Sequence, residues 1–75
     1  MKHFKLFNFD YDDSLLFISA DEVANYVFNT TGDWMLAHGV REECKEAEIG
    51  DVFNLEFYNM KIHCIDGREW NNVIP

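Results

Sequence analysis

The sequence predicts an α+β fold: a small antiparallel sheet of two hairpins packed on one helix, ordered β-β-α-(α)-β-β. Three stretches carry that expectation. Residues 51–66 place apolar side chains at Phe53, Leu55 and Phe57, then at Met60, Ile62 and Cys64. Each run has the period of two that marks a strand with one buried face. Residues 2–20 hold two further apolar runs on either side of Asp12-Asp13-Ser14, which is turn chemistry. Between these hairpins, Ser19-Ala20-Asp21-Glu22 has the form of a capping box, so a helix should start there.

In the first hairpin Phe7, Phe9 and Tyr11 alternate with Asn8 and Asp10, and Leu15-Leu16-Phe17-Ile18 supplies the return strand. Phe4 and Leu6 are out of phase with Phe7 and Phe9, which requires either a bulge near Leu6 or a strand buried on both faces. The helix should cover residues 20–29, with Val23, Tyr26 and Val27 on one stripe and Asn29-Thr30-Thr31-Gly32 as its stop. Residues 33–39 read as a short second helix, capped by Asp33 and ended by Gly39. Residues 40–48 read as a short charged amphipathic helix that turns Val40, Cys44 and Ala47 inward, with an extended edge as the rival.

In the central hairpin the alternation changes parity at Tyr58-Asn59. A two-residue loop there pairs Phe57 with Met60, Leu55 with Ile62 and Phe53 with Cys64, and sets Glu56 against Lys61. A bulged continuous strand is the other solution. Asp66-Gly67 is a second hairpin signal, returning Arg68-Glu69-Trp70 as a third C-terminal strand, followed by a tail over residues 71–75.

The 75 residues make one domain, 1–75. Hydrophobic residues at 48% and aromatic residues at 16% are the opposite of a disordered composition. The net charge of −8 argues against direct nucleic-acid binding, which needs a basic face to displace counterions, and against docking on anionic membranes. The N-terminus lacks the continuous apolar run of a signal peptide, and no stretch is apolar enough to span a bilayer. A soluble cytoplasmic protein is the expectation.

Chemistry-bearing motifs are sparse. His38, Cys44, His63 and Cys64 are zinc-type ligands without zinc spacing, and His63 and Cys64 are strand neighbours that point to opposite faces. Glu42, Glu43 and Glu46 would raise the pKa of the Cys44 thiol, the reverse of what a nucleophile needs. No phosphate-cradling glycine loop is present. The chain is therefore expected to be non-enzymatic, with no cofactor and no metal.

The acidic clusters are the more suggestive feature. Asp10, Asp12 and Asp13 crowd one turn, and Glu42, Glu43, Glu46 and Glu48 crowd one segment. Like charges one helical turn apart oppose folding by a few tenths of a kcal/mol per pair. A solvated face that keeps an aromatic-rich chain in solution accounts for any one cluster. A surface that presents carboxylates to a basic, nucleic-acid-binding site on a protein partner accounts for all of them. Trp34, Tyr58 and Trp70 would supply the aromatic anchors of such an interface. In size and composition the chain resembles the small acidic anti-defence proteins that bacteriophages encode, anti-CRISPR and antirestriction proteins among them. That resemblance implies an inhibitor of a host protein or complex and transfers no residue. The alternative is an assembly subunit that self-associates through an open sheet edge.

Overall fold

Alternation and capping translate into an α+β structure. The computed structural model describes residues 1–69; Trp70 and residues 71–75, where the sequence reading places a strand end and a tail, lie outside the described residues. In chain order the elements are β1 (Lys2–Asn8), β2 (Asp13–Phe17), α1 (Ala20–Thr31), α2 (Trp34–Glu46), β3 (Val52–Leu55) and β4 (Met60–Asp66). The strands form one antiparallel sheet in the order β2-β1-β4-β3. The long strands β1 and β4 lie in the centre, and the short β2 and β3 form the edges.

Both helices cover one face of this sheet. Phe4 and Leu6 of β1 and Met60, Ile62 and Cys64 of β4 meet Val23, Ala24 and Val27 of α1 and Ala37, Val40 and Cys44 of α2 in a single buried cluster. Leu6, Val23, Val27, Ile62 and both cysteine side chains are fully withdrawn from water. Burying an aliphatic side chain of this size stabilises the fold by about 1.5–3 kcal/mol. Asn8 is the polar member of that face, and its amide donates to the Tyr26 hydroxyl of α1 at 3.1 Å, so burial leaves the amide partnered.

The helices begin where the sequence places their caps. The Ser19 hydroxyl accepts from the Glu22 amide at 3.2 Å, and the Glu22 carboxylate accepts from the Ile18 amide at 2.9 Å. Helix α1 continues two residues past Asn29 and ends at Gly32, whose φ of +73° is left-handed, the conformation that costs glycine least. The Asp33 carboxylate then caps α2 by accepting from the Leu36 amide at 3.0 Å.

Three expectations are corrected and one open alternative is decided. Residues 33–39 and 40–48 are not two helices: α2 runs without a break from Trp34 to Glu46. Gly39 lies inside it, where it costs about 1 kcal/mol relative to alanine. The apolar positions Ala37, Val40 and Cys44 share one helical face and hold the helix across that glycine. The C-terminal end of α2 is fastened by Lys2, whose ammonium donates to the carbonyls of Lys45 at 2.8 Å and Ala47 at 2.9 Å. A cation there satisfies carbonyls that have no partner within the helix and complements its dipole.

Second, β1 contains no bulge. It pairs in unbroken register with both neighbours, so Phe4 and Leu6 face the helices while Phe7 faces the other side. Third, the central hairpin is slipped by two residues from the predicted pairing. Leu55 pairs with Met60, Phe53 with Ile62 and Asn54 with Lys61. The loop has four residues: a 3-10 turn over Glu56–Tyr58 and Asn59 in the left-handed conformation. A slip of two keeps Leu55 and Phe53 on the core face, but it removes Phe57 and Glu56 from the strand, so the Glu56–Lys61 cross-strand pair does not form. Fourth, the chain after Asp66 makes a 3-10 turn over Gly67–Glu69 rather than starting a third strand. A Cβ at Gly67 would collide with the buried His3 ring, so the turn closes over β1 only because residue 67 has no side chain.

Candidate functional site

Three connections meet at one end of the sheet. The β1–β2 loop covers residues 9–12, the α1–α2 junction is Gly32-Asp33, and the β3–β4 loop covers residues 56–59. Hydrogen bonds tie them together. The Phe9 amide donates to the Asn59 carbonyl at 3.0 Å, and the Asn59 side chain donates to the Asp10 carboxylate at 3.1 Å. The Tyr58 hydroxyl approaches the Asp33 carboxylate at 3.5 Å.

Large apolar side chains stand in water on this scaffold. Phe57 is 99% exposed, Met35 72% and Trp34 66%. Around them are Asp10, Asp12, Asp33 and Glu56, with Asp13 at the start of β2, and these loops contain no Lys or Arg. A cleft of about 500 Å³ opens beside the β3–β4 loop, lined by Asp33, Leu36, Leu55, Glu56, Phe57 and Tyr58. On the outer side of the helical layer a shallower groove of about 360 Å³ runs between α1 and α2, past Phe28, Trp34, His38 and Arg41. In this groove an Arg41 guanidinium nitrogen lies 3.1 Å from His38 Nδ1.

The structure divides the predicted site residues into two groups. Asp12, Asp13, Trp34 and Tyr58 lie at the loop end. Tyr58 is half-buried, turned in toward Asp33, and Phe57 rather than Tyr58 stands at the tip. Glu42, Glu43, Glu46 and Glu48 lie toward the opposite end, near where Lys2 meets the end of α2. At about 1.5 Å per residue, α2 carries Glu42 roughly 12 Å and Glu46 roughly 18 Å away from Trp34 along its axis, beyond one Debye length in physiological salt. Glu42 is also engaged locally, 3.7 Å from Arg41 and 3.8 Å from Lys45. Trp70 lies outside the described residues.

The sequence reading missed Phe57, Met35, Asp33 and Glu56 as site residues. It assigned Phe57 to the core through the two-residue loop. The available signal was Tyr58, a poor residue for a two-residue turn, next to Asn59, a good one for the left-handed end of a longer loop.

Both thiols are buried. Burial, then the neighbouring Cys64 and Glu43, push Cys44 up to about 12 against a weaker opposing pull from Lys2. Burial also raises Cys64. Among the described residues, no group of three or more His, Cys, Asp or Glu side chains could hold a metal ion, and no helix is long and apolar enough to cross a membrane. No protein-family model matches the chain, and neither does any curated protein or solved structure compared with it.

Proposed function

We propose that this chain is a non-enzymatic inhibitor that binds a protein partner through its loop end. The observation that carries the reading is Phe57, a phenylalanine almost wholly in water on a loop that hydrogen bonds fix from two sides. A loop whose neighbouring residues are already tied down loses little main-chain freedom on binding, which suits its exposed ring to anchor an interface. Trp34 and Met35 extend the apolar surface. The surrounding carboxylates complement a partner pocket ringed by Lys and Arg, the lining of a nucleic-acid-binding groove. Occupying such a groove would exclude the nucleic acid and so inhibit the partner. The carboxylates would speed encounter, and the apolar side chains would hold the complex.

The test is site-specific photocrosslinking of the full chain, with a benzophenone side chain at position 57 and, as control, at position 48 on the far end. Mass spectrometry of the crosslinked product identifies the partner, and its binding is then titrated against salt, with and without its own nucleic acid. The reading expects crosslinking from position 57 over position 48, association that slows as salt rises, and competition by nucleic acid. Salt-independent binding that nucleic acid leaves untouched would contradict it.

A further inference from the structure

We infer that the helix-free face of the sheet is a second binding surface, and that its ligand is single-stranded nucleic acid. The chain has fourteen Asp and Glu, yet none occupies an outward strand position on this face. The two central strands place Lys5 opposite His63 and Phe7 opposite Lys61, so two of the six Lys and Arg share one patch with an imidazole and an aromatic ring. Neither lysine belongs to an ion pair among the described residues. As diagonal neighbours on adjacent strands, their Cβ atoms are about 7–8 Å apart or less. Two cations this close repel each other, and an anion spanning them removes that repulsion.

The aromatic part selects the kind of anion. Lys5 Nζ lies 4.9 Å from the centre of the Phe7 ring. The Phe7 ring lies 6.3 Å from that of Phe9, and the two are within 16° of parallel. Lys5 and Phe9 flank the Phe7 ring, so a base stacks on the outer face of this ring pair, offered by the half-exposed Phe9, with the ammonium groups beside it for the phosphates, because every base has a π-face to stack. A second copy of this chain fits less well. The central strands are about 20 Å long and the edge strands about 13–17 Å, all about 4.8 Å apart, and His3 and Ile65 at one end of the face are buried, so it offers less than roughly 400 Å², under half of the ~800 Å² per partner in a stable interface. The net charge of −8 describes the whole surface. Its carboxylates lie on the helices, on the loops and, for Asp13 and Asp66, at strand positions of the helix-covered face, and salt screens them over about 10 Å at 0.1 M.

The test is fluorescence anisotropy of a short labelled oligothymidylate with the full chain at low salt. Two phosphate contacts predict a slope of log affinity against log salt near −1.4. Phe7→Leu keeps an apolar side chain but loses the ring, and should weaken binding about tenfold; Phe7→Tyr should retain it. Lys5→Gln with Lys61→Gln should weaken it about tenfold and flatten the slope. Phe57→Ala should leave it unchanged, which separates this surface from the protein-binding end. Circular dichroism melts confirm that each variant is folded. The inference is overturned if the oligonucleotide does not bind, if Phe7→Leu binds as well as wild type, or if polyglutamate competes as well as unlabelled oligothymidylate, which would leave charge alone.

Discussion

The two hairpins close with the same loop and use it differently. Each has four loop residues, and each ends on a left-handed residue, Asp12 at φ +51° and Asn59 at φ +55°. Position by position, Phe9, Asp10, Tyr11 and Asp12 correspond to Glu56, Phe57, Tyr58 and Asn59. At the second position the first loop has a carboxylate that accepts a hydrogen bond, and the second loop has a ring in water. At the third, Tyr11 is exposed while Tyr58 turns inward to Asp33. At the fourth, Asp12 makes no side-chain hydrogen bond among the described residues, whereas Asn59 holds the neighbouring loop through its carbonyl and its amide. Turn backbone decides which residue leaves the sheet, and anchoring decides whether the exposed residue has a fixed position. The β3–β4 loop is anchored from both sides; the β1–β2 loop hangs from it.

The largest expected effect lies beneath both loops. Ile62 is fully buried and pairs with Leu6 on one side and Phe53 on the other. Ile62→Ala should cost about 3 kcal/mol, read as a lower urea midpoint in one cooperative transition. Two separated transitions would show that the hairpins do not share a core.

The next effect is one of pH, and it tests the closed interior against the open loops. A thiol is neutral when protonated, and folding raises Cys44 from 9.0 to about 12. Between those values the unfolded chain releases a proton that the folded chain retains, so stability is fully present below pH 9 and falls as pH climbs toward 12. The urea midpoint should decline over that window, and Cys44→Ala should lessen the decline. An identical decline in the variant would refute the assignment.

The two loop ends are compared directly by Asn59→Ala and Asp12→Ala. Both lose a residue that tolerates the left-handed conformation, worth about 1 kcal/mol, but Asn59→Ala also loses a hydrogen bond worth about 1 kcal/mol. The account predicts a total near 2 kcal/mol for Asn59 against about 1 for Asp12, with Asn59→Gly recovering the backbone part. Equal losses in denaturant melts would remove the asymmetry. Smaller still, Ser19→Ala should cost about 1 kcal/mol as the loss of a helix cap. Asp33→Ala should cost slightly more, because Asp33 also receives Tyr58; a loss smaller than that of Ser19 would mean the Tyr58 contact does not hold the loop.

Much of the fold was legible because its signals are local. Ser19 and Asp33 cap helices as their side-chain chemistry requires, and Ile62 and Cys64 are buried as alternation requires. The slipped hairpin was not legible from alternation, because a two-residue loop and a four-residue loop place Leu55 and Phe53 on the same face. They differ in the cross-strand partners and in whether Glu56 and Phe57 belong to the strand or to the loop. The continuity of α2 was hidden by Gly39, whose helical penalty is smaller than the packing of Ala37, Val40 and Cys44. The candidate site was legible in part: Trp34, Asp12 and Asp13 were singled out, but the separation of the acidic clusters follows from helix and strand directions that composition does not encode.

The central claim is that Phe57 is exposed for a partner and contributes nothing to the fold. The most direct measurement is a binding titration of Phe57→Ala against the partner identified by crosslinking, run beside its urea denaturation curve. The account predicts a midpoint within about 0.5 kcal/mol of wild type and affinity weakened by tenfold or more, the ~1.4 kcal/mol or greater expected of an anchoring aromatic residue. Undiminished affinity would contradict the claim, and so would a destabilised fold.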